Sequence, residues 1–132
     1  MSQENEAVIR SAFASWNTRD WETWKAAHHP DMVAIPPEGW PEADPVYSLD
    51  AWLDRVFLML EPWDEQRLEI DSVRTTGDLV VVSFRWVASG RESQVEVDIP
   101  IVGVYTVIDA RIARIEFFLD SAEALEAAAL RE

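Results

Sequence analysis

Few side chains in this sequence could transfer a proton inside a small domain. Tyr105 carries the one hydroxyl predicted to point inward from a strand, where a phenol could donate a hydrogen bond to a carbonyl or enolate oxygen. His28 and His29 precede Pro30, and an imidazole titrates close to neutral pH. Glu38 lies in a proline-rich loop, from which it could reach over an opening as a general base. We take Tyr105, His29 and Glu38 as the candidate catalytic residues.

Each candidate also has a structural interpretation. A buried tyrosine often only satisfies one hydrogen bond, a histidine at a helix end interacts with the negative end of the helix dipole, and a loop glutamate is usually solvated. No metal site is predicted, because adjacent His28 and His29 would point about 100° apart on a helix and the sequence has no cysteine. There is no glycine-rich phosphate loop. The predicted activity therefore needs no cofactor.

Length and charge limit the classes of partner. The 132 residues fit one domain, which we assign to residues 1–132. A formal net charge of −14 would repel phosphates, so neither nucleic acid nor an anionic membrane surface is an expected partner. The N-terminus is acidic and polar, and no apolar run approaches the ~18 residues that span a bilayer. The sequence predicts a cytoplasmic protein.

Hydrophobic periodicity and capping residues predict the elements that position these side chains. A proline-rich loop at residues 36–41 interrupts the pattern. Helices segregated from antiparallel strands indicate an α+β fold. The predicted order is a helix over 4–17, a helix after Asp20 that ends at Pro30, a strand over 32–35, a helix capped by Ser48 that ends before Pro62, strands over 66–74, 79–89, 95–108 and 112–119, and a helix that starts at Asp120.

Strand alternation predicts a dry inner face and an outer face. Gly103, in the middle of a strand on the inner face, favours either sheet curvature or the close approach of another group. The predicted inner residues are Val80, Val82, Phe84 and Trp86, then Val97, Ile99, Ile101, Gly103, Tyr105 and Val107, and finally Ala113, Ile115, Phe117 and Leu119. The outer residues Val81, Val87, Val102, Val104 and Phe118 form an apolar patch that predicts a homodimer through the convex face of the sheet.

Short motifs spread along nearly the whole chain resemble those of SnoaL-like proteins, which belong to the nuclear transport factor 2-like superfamily. The resemblance implies a cone-shaped, strongly bent antiparallel or mixed sheet wrapped around three N-terminal helices, with a short C-terminal helix, a deep apolar pocket and commonly a homodimer. Members of the family include isomerases, polyketide cyclases, dehydratases, epoxide hydrolases and proteins with no chemistry. The motifs are Asn17-Thr18-Arg19-Asp20-Trp21, His29-Pro30-Asp31, Glu61-Pro62-Trp63, Gly77-Asp78-Leu79-Val80-Val81, Arg114-Ile115-Glu116 and the run from Leu119 to Leu125.

The related ketosteroid isomerases use a phenol, a carboxylate base and a carboxylic acid that an apolar site keeps protonated. Alignment of the shared motifs puts Ala12, Pro36 and Gly103 at those three positions, so that mechanism is not expected here. We predict binding of a small hydrophobic molecule, cyclic ones included, by a cofactor-independent isomerase, cyclase or hydrolase. The alternatives are a binding module without turnover and a dimeric interaction protein with a filled core. The candidate ligand-binding residues are Phe13, Trp16, Trp40, Val82, Phe84, Trp86, Ile101, Gly103, Ile115 and Phe117.

Overall fold

Helices at both ends of the chain enclose a run of strands. The computed structural model describes residues 2–40, 44–90 and 95–131. No helix within these ranges is long and apolar enough to cross a membrane. The elements, in chain order, are α1 (Ser2–Thr18), α2 (Trp21–Ala26), β1 (His28–Ile35), α3 (Leu49–Leu60), β2 (Trp63–Thr76), β3 (Leu79–Gly90), β4 (Glu96–Ile108), β5 (Arg111–Phe118) and α4 (Ser121–Arg131).

The strands form one curved, mixed sheet in the order β1-β5-β4-β3-β2. β2, β3, β4 and β5 pair antiparallel, as hairpin-connected strands can, whereas β1 pairs parallel with β5. The α+β fold with a mixed sheet is thus confirmed. Its long strands follow from β-branched and aromatic residues at alternating positions, which suit a pleated surface with one dry face.

Local hydrogen bonds fix where the helices start. Asp20 caps α2 by accepting from the Thr23 backbone N–H, and Ser48 caps α3 by accepting from the Ala51 N–H at 3.1 Å. The Asp120 carboxylate accepts from the Ala122 N–H at 2.7 Å at the start of α4. These caps lie at the helix starts that the sequence predicts.

The sheet has a separate apolar cluster on each face. On the concave face, α1, α2 and α3 pack against alternate strand residues, including Val80, Val82 and Phe84. On the outer face, Ala124 and Ala128 of α4 pack against Leu79, Val81, Val102 and Val104, with Phe118 beside them. The predicted outer patch is therefore largely covered by α4 of the same chain, which corrects the expectation that Val81, Val102 and Val104 are free for a partner.

The first strand begins earlier than predicted. His28 and His29 lie in β1 and not at the end of a helix, since α2 already ends at Ala26. Pro30 is tolerated within the strand because β1 lies at the edge of the sheet, and the pairing with β5 is irregular between His28 and Val33. The prediction that Pro30 ends a helix is therefore wrong.

The inner face of β5 also differs from simple alternation. An irregularity pairs Thr106 with Arg114 but Val107 with Ile112, so that Ala113 is an extra residue. Ile112 therefore takes the fully buried inner position that was predicted for Ala113. Leu119, also predicted to be inward, lies beyond the end of β5 and is exposed.

Candidate functional site

A cavity of about 100 Å³ lies between the helices and the concave face of the sheet. A cavity of this order holds about one aromatic ring, since a dry protein cavity of about 150 Å³ binds benzene. No Lys, Arg, Asp or Glu is among the described residues that form its wall, and nine of them are aromatic. The wall is formed by Ala12, Phe13, Trp16, Trp24, His28, Pro37, Trp40, Trp52, Met59, Leu60, Leu68, Phe84, Trp86, Ile101, Tyr105, Ile115 and Phe117.

Most of the candidate ligand-binding residues lie in this wall. Val82 and Gly103 do not: Val82 is fully buried within the concave-face cluster, and Gly103 lies beneath a neighbouring ring. Whether the wall residues bind a ligand stays a prediction. The candidates that line the cavity are Phe13, Trp16, Trp40, Phe84, Trp86, Ile101, Ile115 and Phe117.

Tyr105 contributes a hydroxyl group to this apolar wall. Its ring is 5 % exposed and lies among the rings of Phe13 and Phe117, with centroid distances of 6.1 and 6.3 Å. Its hydroxyl has no hydrogen-bond partner within the part of the chain that the structure describes. Burial raises the pKa of Tyr105, so the phenol stays protonated and can donate.

Gly103 lies two residues before Tyr105 on the same face of β4. A Cβ atom at Gly103 would be 2.5 Å from Cε1 of the Tyr105 ring, a separation that real Cβ contacts do not allow. The backbone of Gly103 does not have a positive φ angle, so its conformation does not demand glycine. Of the two interpretations made from the sequence, close approach of another group is the one that this contact supports.

His28 is the second polar group in the wall. Its Nδ1 lies 2.6 Å from the Trp24 carbonyl oxygen, which can only accept, so Nδ1 carries the proton and Nε2 remains an acceptor. The ring is buried and lies 4.3 Å, centroid to centroid, from the Trp24 ring. Burial lowers the pKa of His28 to about 4, although the hydrogen bond to Trp24 opposes that shift. The imidazole is therefore neutral at physiological pH.

His29 and Glu38, proposed as catalytic from the sequence, do not line the cavity. His29 is exposed because alternation along β1 turns it away from the face that holds His28, and its Nδ1 accepts from the Asp31 N–H at 3.0 Å. Glu38 is an exposed loop residue, whereas Pro37 and Trp40 of the same loop reach the wall. Pro41 of this loop lies outside the described residues.

The loop and two strands hold the wall in place. Ala34 of β1 exchanges backbone hydrogen bonds of 3.0 Å with Val46, which fixes the chain after the loop. On the other side, the Trp16 indole N–H donates to Oε1 of Gln66 at 2.6 Å. The Gln66 Nε2 atom is buried and has no partner among the residues described. Trp16 is thus oriented by a polar group behind the wall.

Several wall residues were not among the sequence candidates. Trp24, Trp52 and Met59 come from α2 and α3, and Leu68 comes from β2. His29, and not its neighbour His28, is the histidine that the sequence predicts to be catalytic. No local signal marks His28, because Pro30 indicates a helix end; alternation places His28 on the same face as Met32 and Ala34 only once β1 is known to start at His28. Among residues 2–40, 44–90 and 95–131, no three His, Asp or Glu side chains are grouped so as to hold a metal ion.

A curved mixed sheet that encloses an apolar cavity with its helices defines the nuclear transport factor 2-like class. Within that class, the model of the SnoaL-like domain matches residues 9–115, and the chain belongs to this family. The resemblance seen in the sequence motifs is confirmed. No protein with a curated functional description matches the chain.

Solved structures similar to this chain agree with the fold. TerC, co-crystallised with polyporic acid, is 21 % identical with a TM-score of 0.78, and the match covers 93 % of this chain and 96 % of TerC. A protein of Burkholderia pseudomallei described as NTF2-like is 20 % identical, with a TM-score of 0.78 and coverage of 93 % and 95 %. A proposed SnoaL-like polyketide cyclase from Jannaschia sp. CCS1 is 20 % identical, with a TM-score of 0.77 and coverage of 93 % and 90 %. At such identities the likeness shows the fold alone.

Proposed function

We propose that the protein binds a small, uncharged aromatic molecule in this cavity and catalyses a proton transfer on it without a cofactor. The observation that carries the proposal is that two polar groups, the Tyr105 hydroxyl and the His28 imidazole, lie in one otherwise apolar wall. One is a donor and the other, through Nε2, an acceptor. A ligand with a carbonyl oxygen and an acidic C–H bond would use both.

The proposed chemistry is enolisation followed by reprotonation or ring closure. His28 Nε2 removes a proton from the carbon next to a carbonyl, and the Tyr105 hydroxyl donates a hydrogen bond to the oxygen as it gains negative charge. In an isomerase, the proton on His28 returns to a different carbon of the same molecule. In a cyclase, the enolate carbon bonds to a second carbonyl carbon, and His28 returns its proton to that carbonyl oxygen. Neither reaction needs an oxidant or a reductant.

The comparisons support a cyclic or cyclising substrate class. The structural neighbours include a proposed polyketide cyclase and a protein crystallised with polyporic acid. An anionic ligand is disfavoured for this chain, because no Lys or Arg side chain lies in the described wall to pair with it. An uncharged carbonyl compound of about the size of one ring suits the wall and its volume.

A binding module without turnover is the second candidate. It is favoured by the low pKa of His28, about 4, because a base is most effective when its pKa lies near the working pH. Such a weak base would accept a hydrogen bond from a ligand more readily than it would remove a carbon-bound proton. The two candidates share the cavity and the polar contacts, and differ only in whether a proton leaves the ligand.

Deuterium exchange separates these candidates. The protein is incubated in D₂O with a panel of one-ring and two-ring aryl ketones, binding is measured by calorimetry, and deuterium at the carbon next to the carbonyl is measured by NMR. For the enzyme, we expect at least one ketone to bind and to exchange faster than in buffer. His28→Asn, which keeps a donor for the Trp24 carbonyl but lacks Nε2, should lose most of that rate.

Binding of a ketone without accelerated exchange would favour the binding module. If no member of the panel bound, the proposed ligand class would be wrong. Steroid Δ5-to-Δ4 isomerisation is the negative control, since Ala12, Pro36 and Gly103 replace the groups that this reaction needs. Exchange that survives unchanged in His28→Asn would remove His28 from the mechanism.

We also propose a homodimer, as the family resemblance implies. The apolar surface outside the contact between α4 and the sheet includes Phe118, which is half-buried, Leu119, which is 49 % exposed, and Leu125 of α4 itself, which is 47 % exposed. Two copies that meet there would cover apolar area that a monomer exposes to water. Sedimentation at micromolar concentration should give twice the chain mass of 15.1 kDa, and Leu125→Glu should reduce it to one chain. A monomeric unmodified protein would contradict this.

A further inference from the structure

We infer that Gly103 is a positioning residue that sets the direction of the Tyr105 hydroxyl and so makes the cavity selective for ligands with a carbonyl oxygen. This inference rests on the proposed function, because it concerns how the same cavity recognises its ligand. It assigns a role in recognition to a residue that has no side chain and does not itself line the cavity.

Gly103 and the Tyr105 ring are in direct contact. Side chains two residues apart on a strand usually stand side by side, roughly perpendicular to the sheet. The Tyr105 ring instead lies back over Gly103: a Cβ atom there would be 2.5 Å from Cε1, 3.2 Å from Cζ and 3.3 Å from Cδ1. Any other residue at position 103 would therefore push this ring away from the strand.

Other side chains flank the ring where it does not face the cavity. Gly103 pairs with Val82 of β3 and with Phe117 of β5, so the Tyr105 ring lies above the middle of the sheet. The Phe117 ring meets it nearly at right angles, at 83°, and Phe13 of α1 meets it at 56°. The strand lies below the ring and aromatic side chains lie beside it, so its tilt is determined by packing.

Packing alone holds the hydroxyl, and this makes Gly103 important. A buried hydroxyl is usually held by a hydrogen bond to the protein, which would keep it in place if the ring shifted slightly. The Tyr105 hydroxyl has no such bond within the described residues. A Cβ at position 103 should therefore change where the donor points, and a displaced donor makes a poor hydrogen bond because the energy depends steeply on angle.

A matched ligand pair measures this effect. Acetophenone and α-methylstyrene have nearly the same shape and differ in having a C=O or a C=CH₂ group, so the ratio of their affinities reports the hydrogen bond to the carbonyl. Calorimetry gives this ratio for the unmodified protein, Tyr105→Phe, Gly103→Ala and the double variant. We expect Tyr105→Phe to lower the relative affinity for acetophenone about threefold to tenfold, which corresponds to one net hydrogen bond.

Gly103→Ala should lower the same ratio by a similar factor although Tyr105 is still present, and the double variant should match Tyr105→Phe. A role of Gly103 in stability alone would weaken binding of both ligands equally and leave the ratio unchanged, and that result would overturn the inference. A ratio that responds to Tyr105→Phe but not to Gly103→Ala would also overturn it, while the proposed function survives. If neither ligand binds the unmodified protein, the proposed function itself fails.

If Gly103→Ala is too destabilised to purify, its folding is compared with that of one double variant. Gly103→Ala combined with Tyr105→Leu removes the ring that the new methyl group would meet. Recovery of folding in this double variant, seen as a cooperative thermal transition, would support the contact on which the inference depends. Failure of both to fold would place the conflict elsewhere in the sheet and would overturn the inference.

Discussion

The two faces of the sheet are built from alternate residues of the same strands, yet they pack in opposite ways. The concave face carries large aromatic rings that surround a cavity of about 100 Å³. The outer face receives α4 through two small residues, Ala124 and Ala128, which are almost fully buried against β-branched side chains. Rigid rings leave gaps where they cannot interdigitate, whereas small residues allow a helix to approach closely. One sheet thus provides both a cavity and a tightly packed support.

The two faces also differ in charge. On the outer face, Arg85 forms ion pairs with Glu69 at 2.6 Å and with Asp98 at 2.7 Å. The described cavity wall contains no formally charged residue, and its histidine is neutral because burial lowers its pKa. A charged ligand would enter the cavity without a partner, which is costly in a low-dielectric site. The inner face is therefore suited to uncharged molecules.

The largest predicted effect is the pH dependence of stability that the concave face contributes through His28. The pKa of His28 is about 4 in the folded protein and 6.5 when exposed, so the unfolded chain binds the proton more strongly. As pH falls from about 7.5 to 4, the free energy of unfolding should decrease by about 3 kcal/mol through this group, and above about pH 7.5 it contributes no pH dependence. Urea unfolding of the unmodified protein and His28→Asn at several pH values measures the difference.

The neighbouring histidine supplies the control. His29→Asn changes an exposed residue on the other side of the same strand, and it should keep the pH dependence of the unmodified protein. Because carboxylates titrate equally in all three proteins, their contribution cancels in the comparison. If His28→Asn and the unmodified protein followed parallel curves, the imidazole would not be buried in its neutral form.

The same substitution on the two faces should give opposite results. Ala124→Leu adds volume where α4 meets the sheet without a gap, and overpacking of this kind costs about 1–3 kcal/mol. Ala12→Leu adds the same volume where a residue of α1 lines the cavity, and should change stability by less than about 1 kcal/mol. Ala12→Leu should instead weaken ketone binding at least about tenfold, since the ligand loses its space. Thermal unfolding and calorimetry measure both effects.

Equal destabilisation by the two leucines would mean that the cavity closes in solution. Loss of ketone binding in Ala124→Leu, with stability kept, would mean that the outer face takes part in recognition. Either result would contradict the proposal that the outer face supports the fold while the concave face selects the ligand.

Removal of a helix cap should have a smaller effect, again different on the two sides. Asp120→Ala removes the carboxylate that accepts from the Ala122 N–H at the start of α4, and should cost about 0.5–2 kcal/mol while ligand affinity stays nearly unchanged. Asp20→Ala removes the cap of α2, which carries the Trp24 ring and carbonyl against His28. This second variant should also weaken ligand binding. An affinity change in Asp120→Ala at constant stability would make Asp120 a functional carboxylate.

The order of helices and strands follows from local signals, and these were sufficient for most of the fold. Alternation in β3 and β4 assigned Phe84, Trp86 and Tyr105 to the inner face, because a strand's side chains point to opposite faces regardless of what covers them. Ser48 marked the start of α3 for a similar reason, since a cap depends only on its own turn.

The parts that the sequence did not predict depend on tertiary context. A proline usually ends a helix, so Pro30 predicts a helix end. Only the edge position of β1 explains why a strand continues through Pro30 and places His28 inside. The extra residue Ala113 in β5 shifts which side chains point inward, and alternation alone cannot locate such an irregularity. The contribution of Trp52 and Met59 depends on how closely α3 approaches the sheet, which no local pattern encodes. At Gly103 the sequence allows either sheet curvature or the close approach of another group, and only the structure shows the contact with the Tyr105 ring.

The smallest predicted effect lies in the turn that connects β4 to β5, two strands that contribute side chains to both faces. Asp109 and Ala110 have φ angles of 52° and 63°, a left-handed conformation that is costly for a residue with a Cβ atom. Ala110→Gly removes that cost and should raise the free energy of unfolding by about 0.5–1 kcal/mol, less than the full cost because glycine also gains freedom in the unfolded chain. Gly77→Ala is the matched reversal, since Gly77 has a φ angle of 60° and open space around it, so backbone strain alone should lower stability.

Because the β4–β5 turn lies outside both packed faces, the stabilised Ala110→Gly variant should bind ketones with unchanged affinity and keep the pH dependence that His28 confers. A change in either property would show that the register of β4 against β5, and with it the position of Tyr105, is set partly at this turn and not only by packing on the two faces.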